Sequence, residues 1–568
     1  MLIGIDLGTT NSLAACFHNG AIRIIPNRLG KKLTPSVVSV GEDYNVMIGE
    51  TAKEYGYLHP DRTARLFKRT MGTDKTYVLG EQSFRSEELS ALVLRSLKED
   101  AEAFLGEKVG EAIISVPAYF NDKQRRMTRM AGELAGLKVD RIISEPTASA
   151  LAYGVGEKGT GECCMVLDLG GGTFDVTILE YYHNIIEVYA VAGDNGLGGE
   201  DFTTVLIELF LKENGLSVND LDLGAFAEIY KNAEHCKCAF TGQEALKLSA
   251  VIGGRRYESR IGPDEYETAC LGLLERMRRP IERSLSDAGI TLNDLDRIIL
   301  VGGGTRLPLV RNYIRKMTGI FSEYSVDPDT SVALGAAIAA AMKERNSEIS
   351  EVILTDVCPF TLGTEVVTGE GDFTDELQYL PIIERNTVIP VSRTETVYTS
   401  KDGQTAVSIK VLQGESRIPS ANLLIGRLNI EVPAGPKGKE AIDITYTYDV
   451  NSLLEVKAKV LSTGLEKKIF IQDEDHKMTE EEAAERMKRI EYLKQNPRED
   501  EENEYVLLKA SRVFEEAISN DRKLLEKQLS LFEDALDHGN RLEIDVQRGR
   551  LLELIGRIED DDSGLLLS

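Results

Sequence analysis

Two glycine-rich stretches decide the fold, IGIDLGTTN at residues 3–11 and LDLGGGTFD at residues 167–175. Each stretch begins as an apolar strand and ends in a turn that combines glycine with threonine. Glycine lets backbone N–H groups approach an anion closely, and the threonine hydroxyls add further donors. Two such turns facing each other would hold a polyphosphate from both sides, whereas a single turn of this kind is commonly an ordinary tight turn. The chain has no GxxxxGK[ST] loop of the Walker kind.

Each stretch also carries an aspartate at the end of its strand, Asp6 in the first and Asp168 in the second. Such carboxylates suit a hydrated Mg²⁺, which needs few direct protein ligands because water and phosphate oxygens complete its shell. A third glycine-rich turn, LVGGGTR at residues 300–306, follows another apolar strand. The sequence therefore predicts a magnesium and polyphosphate site at the ends of these strands.

The composition is that of a folded protein with several domains. The 568 residues exceed what one hydrophobic core usually supports, and 42% of them are hydrophobic while 28% are charged. The net charge of −27 would repel phosphate backbones, so nucleic acid and membrane are not expected partners. The chain starts without a basic leader and has no uninterrupted apolar run of about eighteen residues, so we expect a cytoplasmic protein.

The seven cysteines are scattered and include no CxxC pair, which fits a reducing compartment. Cys236 and Cys238 are separated by one residue, and such a pair could be interpreted as metal or redox ligands. No second cysteine pair and no histidine cluster stand at ligand spacing, so ordinary cysteines are the expectation.

The chain has three regions with different patterns of apolar and polar residues. Up to about residue 345, apolar runs alternate with helix-length amphipathic segments, which is an α/β pattern. From Val388 to Ile471, short alternating segments separated by turns predict an antiparallel β module. A T-x-x-E capping box at Thr479 opens a helical pattern that continues with interruptions to about Ile558.

An apolar stretch, EVILTD at residues 351–356, connects the α/β region to the β module. A linker that only separates domains is normally polar or rich in glycine and serine. The stretch therefore predicts either a segment that docks onto a surface or a buried strand of one neighbour. The residues concerned are Val352, Ile353, Leu354 and Asp356.

Six motifs, in order, resemble those of the seventy-kilodalton heat-shock chaperones. They are GIDLGTTNS at 4–12, VPAYFND at 116–122, EPTASALAYG at 145–154, DLGGGTFDV at 168–176, LGGEDF at 197–202 and VGGGTRLP at 301–308. The compact length and the stretch ERNTVIPVSR at 384–393 are most similar to the shorter bacterial HscC-type members. The resemblance implies a two-lobed, actin-like ATPase with a ribonuclease-H-like duplication at residues 1–348, an apolar linker at 349–357, a β-sandwich peptide-binding domain at 358–473 and a helical lid or tail at 474–568.

The resemblance assigns roles in ATP binding and hydrolysis. It puts Thr9, Thr10 and Asn11 on the β- and γ-phosphates, and Asp6, Glu145 and Asp168 around hydrated Mg²⁺. Lys68 would lie beside the γ-phosphate and the attacking water, and Thr173 and Asp175 would orient that water, so that the catalytic set is Lys68, Glu145, Asp168, Thr173 and Asp175. The remaining nucleotide-binding set is Gly8, Gly170, Gly171, Gly172, Gly198, Gly199, Glu200, Glu234, Lys237, Thr241, Gly302, Gly303, Arg306 and Asp329. Potassium is a further expected ion beside ATP, ADP and Mg²⁺.

The resemblance also implies a groove for extended apolar segments of unfolded proteins, formed by Val367, Tyr398, Val407 and Ile409. Strand addition would supply main-chain hydrogen bonds to such a segment. ATP would speed peptide exchange, and hydrolysis would hold the peptide. The expected partners are a J-domain co-chaperone that accelerates hydrolysis and a nucleotide-exchange factor, in protein folding and the stress response.

Two other classes of function share the phosphate loops. A small-molecule kinase of the actin-like superfamily would transfer phosphate to a specific acceptor, and a nucleotide-dependent assembly protein would use ATP to control polymerisation. Neither needs an apolar linker, a β module and a helical tail, so an ATP-dependent chaperone is the favoured hypothesis.

Overall fold

The structure is a computed structural model. It describes residues 1–42, 45–154, 160–182, 185–320, 326–345, 352–368, 376–449, 454–471, 501–517, 519–538 and 541–567. The capping box predicted at Thr479 lies outside these residues, as do residues 349–351 of the expected linker.

The N-terminal part is built on a sheet with the strand order β11-β10-β1-β2-β3, and β4 pairs with β2. Its elements are β1 (Leu2–Asp6), β2 (Asn11–His18), β3 (Ala21–Ile25), β4 (Thr34–Pro35), β5 (Val37–Val40), β6 (Val46–Ile48), α1 (Glu50–Leu58), β7 (Thr63–Arg65), β8 (Thr76–Leu79), β9 (Gln82–Arg85), α2 (Ser86–Leu105), β10 (Glu111–Val116), α3 (Asp122–Leu134), β11 (Lys138–Ser144) and α4 (Glu145–Gly154). β1, β2 and β3 form an antiparallel meander, and β10 extends it in parallel with β1.

The second part repeats this arrangement. Its elements are β12 (Thr160–Leu169), β13 (Phe174–Tyr182), β14 (Ile185–Asp194), α5 (Gly199–Glu213), α6 (Leu223–Ala239), β15 (Leu246–Ile252), β16 (Arg255–Ile261), α7 (Pro263–Ala269), α8 (Leu271–Ala288), β17 (Arg297–Val301), α9 (Pro308–Thr318) and α10 (Ser331–Lys343). β12, β13 and β14 form an antiparallel meander, and β17 extends it in parallel with β12. Both glycine-rich stretches therefore occupy the same position, the turn between the first two strands of a meander.

Helix α10 lies against β1 and α4, and its small residues allow a close approach. Its sequence, SVALGAAIAAAMK, is almost entirely buried. A Cβ at Gly335 would overlap the backbone of Ala148, and one at Gly4 would overlap the backbone of Ala337. Glycine is required at both contacts because any side chain would push the helix away from β1 and α4.

The β module consists of two four-stranded sheets with the orders β20-β19-β23-β24 and β22-β25-β26-β27. Their eight strands are β19 (Leu362–Thr368), β20 (Glu376–Ile383), β22 (Val391–Tyr398), β23 (Ala406–Gln413), β24 (Leu423–Glu431), β25 (Ala441–Tyr448), β26 (Leu454–Val460) and β27 (Glu466–Phe470), whereas β18 (Ile353–Val357) and β21 (Val388–Ile389) belong to the sheet that contains β14. Alternate residues of β25, Ile442, Ile444, Tyr446 and Tyr448, enter the core, as strand periodicity requires. The predicted antiparallel β module is confirmed.

The apolar linker is a strand. β18 pairs in parallel with β14 and antiparallel with β21, so one sheet runs from the second part of the chain into the β module. Val352 and Leu354 pack against the core beneath α4 and α10, whereas the side chain of Ile353 is 59% exposed. The sequence left open whether this segment docks onto a surface or forms a strand of a neighbouring sheet. In the structure it is a strand that pairs along the edge of the sheet containing β14.

The tail contains α11 (Glu501–Glu516), α12 (Ser519–His538) and α13 (Arg541–Leu567). Apolar residues of all three helices form a common core that includes Val506, Phe532 and Ile555. Helix α11 also packs against α1. Within the described part of the chain, no helix combines the length and apolar character needed to cross a membrane.

Candidate functional site

A cavity of ≈ 340 Å³ lies where the two glycine-rich turns meet. Residues from β1, the β1–β2 turn, α6 and the turn after β17 line it. The residues assigned from the sequence that line it are Asp6, Gly8, Thr9, Thr10, Asn11, Lys68, Glu145, Asp168, Gly170, Gly171, Thr173, Gly199, Glu200, Glu234, Lys237, Gly302, Gly303, Arg306 and Asp329. The fold therefore gathers residues that are more than three hundred positions apart in the chain.

The two turns face each other at very short range. A Cβ on Gly171 would overlap the Thr10 side chain, and one on Gly172 would lie 2.9 Å from Thr9 Oγ1. Gly198 is similarly close, because a Cβ there would overlap the backbone of Gly171 and Gly172. The absence of side chains thus lets backbone N–H groups and threonine hydroxyls converge on the cavity, as the sequence predicted.

Arg69, which the sequence analysis did not single out, holds the second turn. Its Nε donates to the carbonyl of Gly172 at 3.1 Å, and its guanidinium pairs with Asp201 at 2.6 Å. Asp201 also accepts from the backbone N–H of Gly198 at 2.7 Å. This network crosses from the first part of the chain to the second, so Arg69 ties the two sides of the cavity together.

Four carboxylates and one lysine form the floor of the site. Lys68 is 2% exposed and donates from Nζ to Oε1 of Glu145 at 2.7 Å. A short helical turn over Phe67–Thr70, entered through Leu66 in a left-handed conformation, directs Lys68 inward. Asp6 accepts from Ser115 Oγ at 2.9 Å, and Asp175 accepts from the backbone N–H of Tyr119 at 3.2 Å.

Burial disfavours the charged form of these carboxylates. It raises the pKa of Asp6 to about 7, and the Glu145 carboxylate adds to the effect. Burial, again followed by Glu145, raises the pKa of Asp175 to about 7. The pKa of Asp168 is raised well above its ordinary value by burial and then by Glu145 and Asp175. The site therefore has more negative charge than Lys68 alone compensates.

These residues fit a hydrated magnesium ion. The donors are carboxylate oxygens, which Mg²⁺ prefers, and Asp175 Oδ2 is buried without a hydrogen-bond partner in the structure. Among the described residues, no three histidine, cysteine or acidic side chains come close enough together to ligate one ion directly. An ion that keeps most of its water shell is compatible with this spacing, and its charge would relieve the raised pKa values.

The far wall of the cavity is formed by α6 and the turn after β17. Lys237 Nζ donates to the carbonyl of Gly199 at 3.0 Å and pairs with Glu234 at 2.6 Å. Opposite, Arg306 is held by Asp329 through Nε at 2.9 Å. The two walls present charged groups that are oriented by other protein groups, which suits recognition of a polar ligand.

Four residues assigned from the sequence do not line the cavity directly. Gly172, Gly198 and Asp175 lie immediately behind the lining. Helix α6 ends at Ala239, and the backbone of Phe240 is extended. Thr241 therefore lies beyond the helix and is exposed. Cys238 lines the cavity instead, one turn after Glu234 on the same helix face. The i, i+4 spacing from Glu234 was the signal that would have found it.

The whole chain is similar to known proteins. The family model described as Hsp70 protein matches residues 2–79 and 75–555. The chain belongs to the Hsp70 family. Three similar relatives, each named Chaperone protein DnaK, are 38% identical: that of Thermosipho melanesiensis over 96% of this chain and 93% of its own length, and those of Thermotoga petrophila and Thermotoga maritima over 98% of this chain and 92% of theirs.

In this Hsp70 chain, the residues assigned to the peptide groove do not share one surface. Val367 on β19 and Val407 on β23 are half-buried in one sheet, whereas Tyr398 on β22 belongs to the other sheet and is 60% exposed. Ile409, two positions after Val407 on β23, is 2% exposed and lies in the module core, and its place in a groove stays a prediction.

Strands β19 and β23 separate along their length. Their described pairs are Leu362 with Gln413 and Gly363 with Leu412, at one end only. β19 continues to Thr368, paired on its other side with β20, and β23 begins at Ala406, paired on its other side with β24. Beyond that end, the described pairs leave the facing edges of β19 and β23 unpaired with each other. Val367 lies on this part of β19, and Val407 lies on this part of β23.

Several contacts fasten the Hsp70 β module to the part that carries the cavity. Asp287 on α8 accepts from Arg385 through Nε at 3.0 Å and Nη2 at 2.6 Å, and from Asn386 Nδ2 at 3.0 Å. The ring of Phe360 lies 4.4 Å from that of Tyr119, whose backbone binds Asp175. The module thus contacts a residue that positions a carboxylate of the site.

Asp356 on β18 is enclosed at this junction. Burial raises the pKa of its carboxyl, while Arg125, the backbone N–H of Val357, Arg141 and Ser144 favour its charged form. These partners offset part of the cost of enclosing the Asp356 carboxyl at the junction.

Proposed function

We propose that this Hsp70-family chain is an ATP-dependent chaperone: an ATPase that binds extended apolar segments of unfolded proteins and controls their release by ATP binding and hydrolysis. The relatives named Chaperone protein DnaK support this proposal. The observation that carries it is the linker strand β18, which pairs with residues Ile185 to Glu187 of β14, in the same sheet as the strands β12 and β13 that lead to the second glycine-rich turn, and with β21 of the β module. A change at the cavity that moved β14 would be transmitted to the module through this shared sheet.

The proposed domains follow the same division. Residues 1–348 form an actin-like ATPase domain, 349–357 the linker, 358–473 a β-sandwich peptide-binding domain and 474–568 a helical lid or tail. The repeated meanders of the first two parts support a duplicated, ribonuclease-H-like ATPase. The two four-stranded sheets support the β-sandwich.

In the proposed site, the two turns bind the phosphates of ATP. Thr9, Thr10 and Asn11 from one turn and Gly171, Gly172 and Thr173 from the other would bind phosphate oxygens from both sides, while the N–H groups of Gly8 and Gly170 donate within their own turns. Glu234, Lys237 and Arg306 would hold the adenosine end. Asp6, Glu145 and Asp168 would hold hydrated Mg²⁺, whose charge offsets that of the phosphates when it is bound. Potassium is a further proposed ion at this acidic site.

Hydrolysis in this site would rely on positioning and electrostatics. Lys68, held by Glu145 at 2.7 Å, would place a positive charge beside the transferred phosphoryl group. Thr173 and Asp175 would orient the attacking water, and Asp175 has an unpartnered Oδ2 for that purpose. One preorganised donor of this kind contributes about 3 kcal/mol to a transition state.

The peptide would bind between the separated halves of β19 and β23. Their facing edges offer main-chain donors and acceptors to an extended segment, and Val367 and Val407 offer apolar contacts. Tyr398 would contribute from the neighbouring sheet. We further propose a cytoplasmic location, a J-domain co-chaperone and a nucleotide-exchange factor as partners, and an HscC-like role in protein folding and the stress response.

The linker tests this proposal. Replacing Leu354 and Asp356 with alanine removes two half-buried side chains of β18 and is expected to leave basal ATP hydrolysis intact while abolishing its stimulation by an apolar peptide. Ile353→Ala is the matched control, because that side chain on the same strand is 59% exposed. Stimulation that survives in the Leu354 and Asp356 variant would contradict the proposed coupling. A wild-type chain that does not hydrolyse ATP would contradict the proposed function itself.

A further inference from the structure

The gap between β19 and β23, where the two strands are not paired with each other, begins at a defined position. The described backbone pairs end at Gly363 with Leu412. If the same register continued into the gap, it would place Glu365 of β19 opposite Lys410 of β23. At that position the side chains meet instead, and Lys410 Nζ lies 2.7 Å from Glu365 Oε1. An ion pair therefore bridges the two strands just beyond the end of their backbone pairing.

The paired end of β19 is held by contacts from other strands. Tyr446, buried on β25 of the opposite sheet, donates from its hydroxyl to the carbonyl of Gly363 at 2.9 Å. Tyr379 Oη, from β20, donates to the carbonyl of Thr361 at 2.9 Å. A Cβ on Gly363 would overlap the carbonyl oxygen of Leu380, so β19 lies tightly against β20 at this point. These contacts hold β19 at Gly363, and the strands part beyond it.

The charges around Lys410 favour its pairing with Glu365. On its other side, Lys410 stands opposite Arg427 of β24. Like charges directly opposite each other on neighbouring strands are destabilising, and the Glu365 carboxylate offsets this repulsion. The side chain of Glu365 is 18% exposed and that of Lys410 is 32% exposed. Because water has limited access to the two groups, their attraction is stronger than that of a fully exposed ion pair.

The ion pair adjoins the surface that is proposed to bind peptide. Val367 stands two positions after Glu365 and lies on the same face of β19, since side chains alternate along a strand. Ser408 stands two positions before Lys410 and likewise shares its face of β23. A peptide strand inserted between β19 and β23 would therefore contact Val367 along its length and the ion pair at its inner end.

We infer that the ion pair of Glu365 with Lys410 is a clasp at the inner end of the peptide groove, and that it slows the escape of a bound segment. When β19 and β23 part further, the main-chain hydrogen bonds on both sides of an inserted segment weaken and the segment leaves faster. Such parting also breaks the ion pair, so the ion pair opposes it. Glu365 and Lys410 are positioning residues, because they act through the separation of the strands. The inference rests on the proposed peptide binding.

The test is the rate at which a fluorescent, uncharged apolar peptide leaves the full chain without nucleotide after excess unlabelled peptide is added. Glu365→Gln and Lys410→Met each remove a charge with little change in side-chain size. Each is expected to speed release about three- to fivefold, the upper range for one partly exposed ion pair. The double variant should release no faster than either single variant, because all three lack the same interaction. Lys410→Arg keeps the cation and is expected to release at the wild-type rate.

The control is Lys459→Met in the second sheet. Lys459 of β26 pairs with Glu466 of β27 at 3.1 Å, between strands whose backbones are paired at this position. The change removes an ion pair of the same kind from the β module and leaves the gap between β19 and β23 untouched. Release at the wild-type rate is therefore expected.

Each outcome decides. Faster release from Glu365→Gln and Lys410→Met, with no further increase in the double variant, supports the clasp. Wild-type release from both single variants overturns it and leaves peptide binding standing. Additive acceleration in the double variant overturns it, because the two residues would then act independently. Equal acceleration in Lys459→Met or in Lys410→Arg also overturns it, because general loosening of the module would then explain the effect. A wild-type chain that binds no apolar peptide overturns both the clasp and the proposed function.

Discussion

Lys68 donates to Glu145 at 2.7 Å, and both residues are buried beside Asp6, Asp168 and Asp175. One cation thus stands among four carboxylates, three of which have pKa values raised by burial. Without a ligand, the electrostatic free energy of these carboxylates is unfavourable. A bound cation would lower it. Structure and electrostatics together therefore describe a site prepared for a magnesium–nucleotide complex.

Lys68→Ala is expected to lower the single-turnover rate of ATP hydrolysis about 10²- to 10³-fold, because one preorganised charge is lost from the transition state. Nucleotide binding should persist, since the turns that bind phosphate remain. Quenched-flow measurement of phosphate release checks this. Lys75→Ala, at an exposed lysine that lies 4.9 Å from the Tyr77 ring, is the control. Hydrolysis at the wild-type rate by Lys68→Ala would remove Lys68 from the catalytic set.

The raised pKa values predict a stability that depends on pH. Asp6 and Asp175 ionise near 3.8 when unfolded and at about 7 when folded. Their contribution is therefore fully present below about pH 4 and is lost as the pH rises through about 7. In chelator and without nucleotide, the melting temperature should fall across this window. Asp175→Asn should flatten the fall, whereas Asp74→Asn, at an exposed position, should not. A profile that rises from pH 5 to pH 7 equally in wild type and Asp175→Asn would contradict the assignment.

Gly171→Ala tests the close approach of the two turns. The added Cβ would overlap the Thr10 side chain, and such overpacking costs about 1–3 kcal/mol. Nucleotide affinity should therefore fall about 5- to 150-fold. Calorimetric titration with ADP measures it. Gly110→Ala provides the comparison, because a Cβ there meets no atom within 4 Å. Equal affinities for the two variants would show that the turns do not close on the ligand.

Arg385→Ala should weaken attachment of the β module to α8. The guanidinium makes two charge-assisted hydrogen bonds to Asp287, a contact of about 2 kcal/mol in partly buried settings. Stimulation of hydrolysis by peptide should fall several-fold. Arg393→Ala, on the exposed face of β22, should behave as the wild type. An undiminished stimulation in Arg385→Ala would mean that coupling does not pass through this contact.

The sequence predicted the core of the site well and its periphery less well. The repeated strand and glycine-rich turn picked out Asp6, Asp168 and the two facing turns from local chemistry alone, because backbone geometry there depends on residues close in sequence. Lys68 carries no such signal, since a lysine between Phe67 and Arg69 looks like a surface residue, and only the resemblance singled it out. Thr241 was assigned through the resemblance, whereas α6 ends at Ala239 and leaves Thr241 exposed.

The remaining features depend on contacts between distant segments. Val407 and Ile409 stand two positions apart and face the same side of β23, and how deeply each is buried depends on the strands that pack against them, which the sequence does not show. The pairing of Arg512 with Glu54 joins residues 458 positions apart and leaves no local pattern. The linker was recognised as unusual from its apolar composition, but its pairing with both β14 and β21 is a property of the assembled fold.

Nucleotide in the cavity is proposed to set the affinity of the β module for extended polypeptide through β18. The dissociation rate of a fluorescent apolar peptide from the full chain, measured with ATP, with ADP and without nucleotide, tests this coupling. ATP is expected to speed release at least about fivefold relative to ADP. Equal rates under all three conditions would show that nucleotide and peptide binding are not coupled.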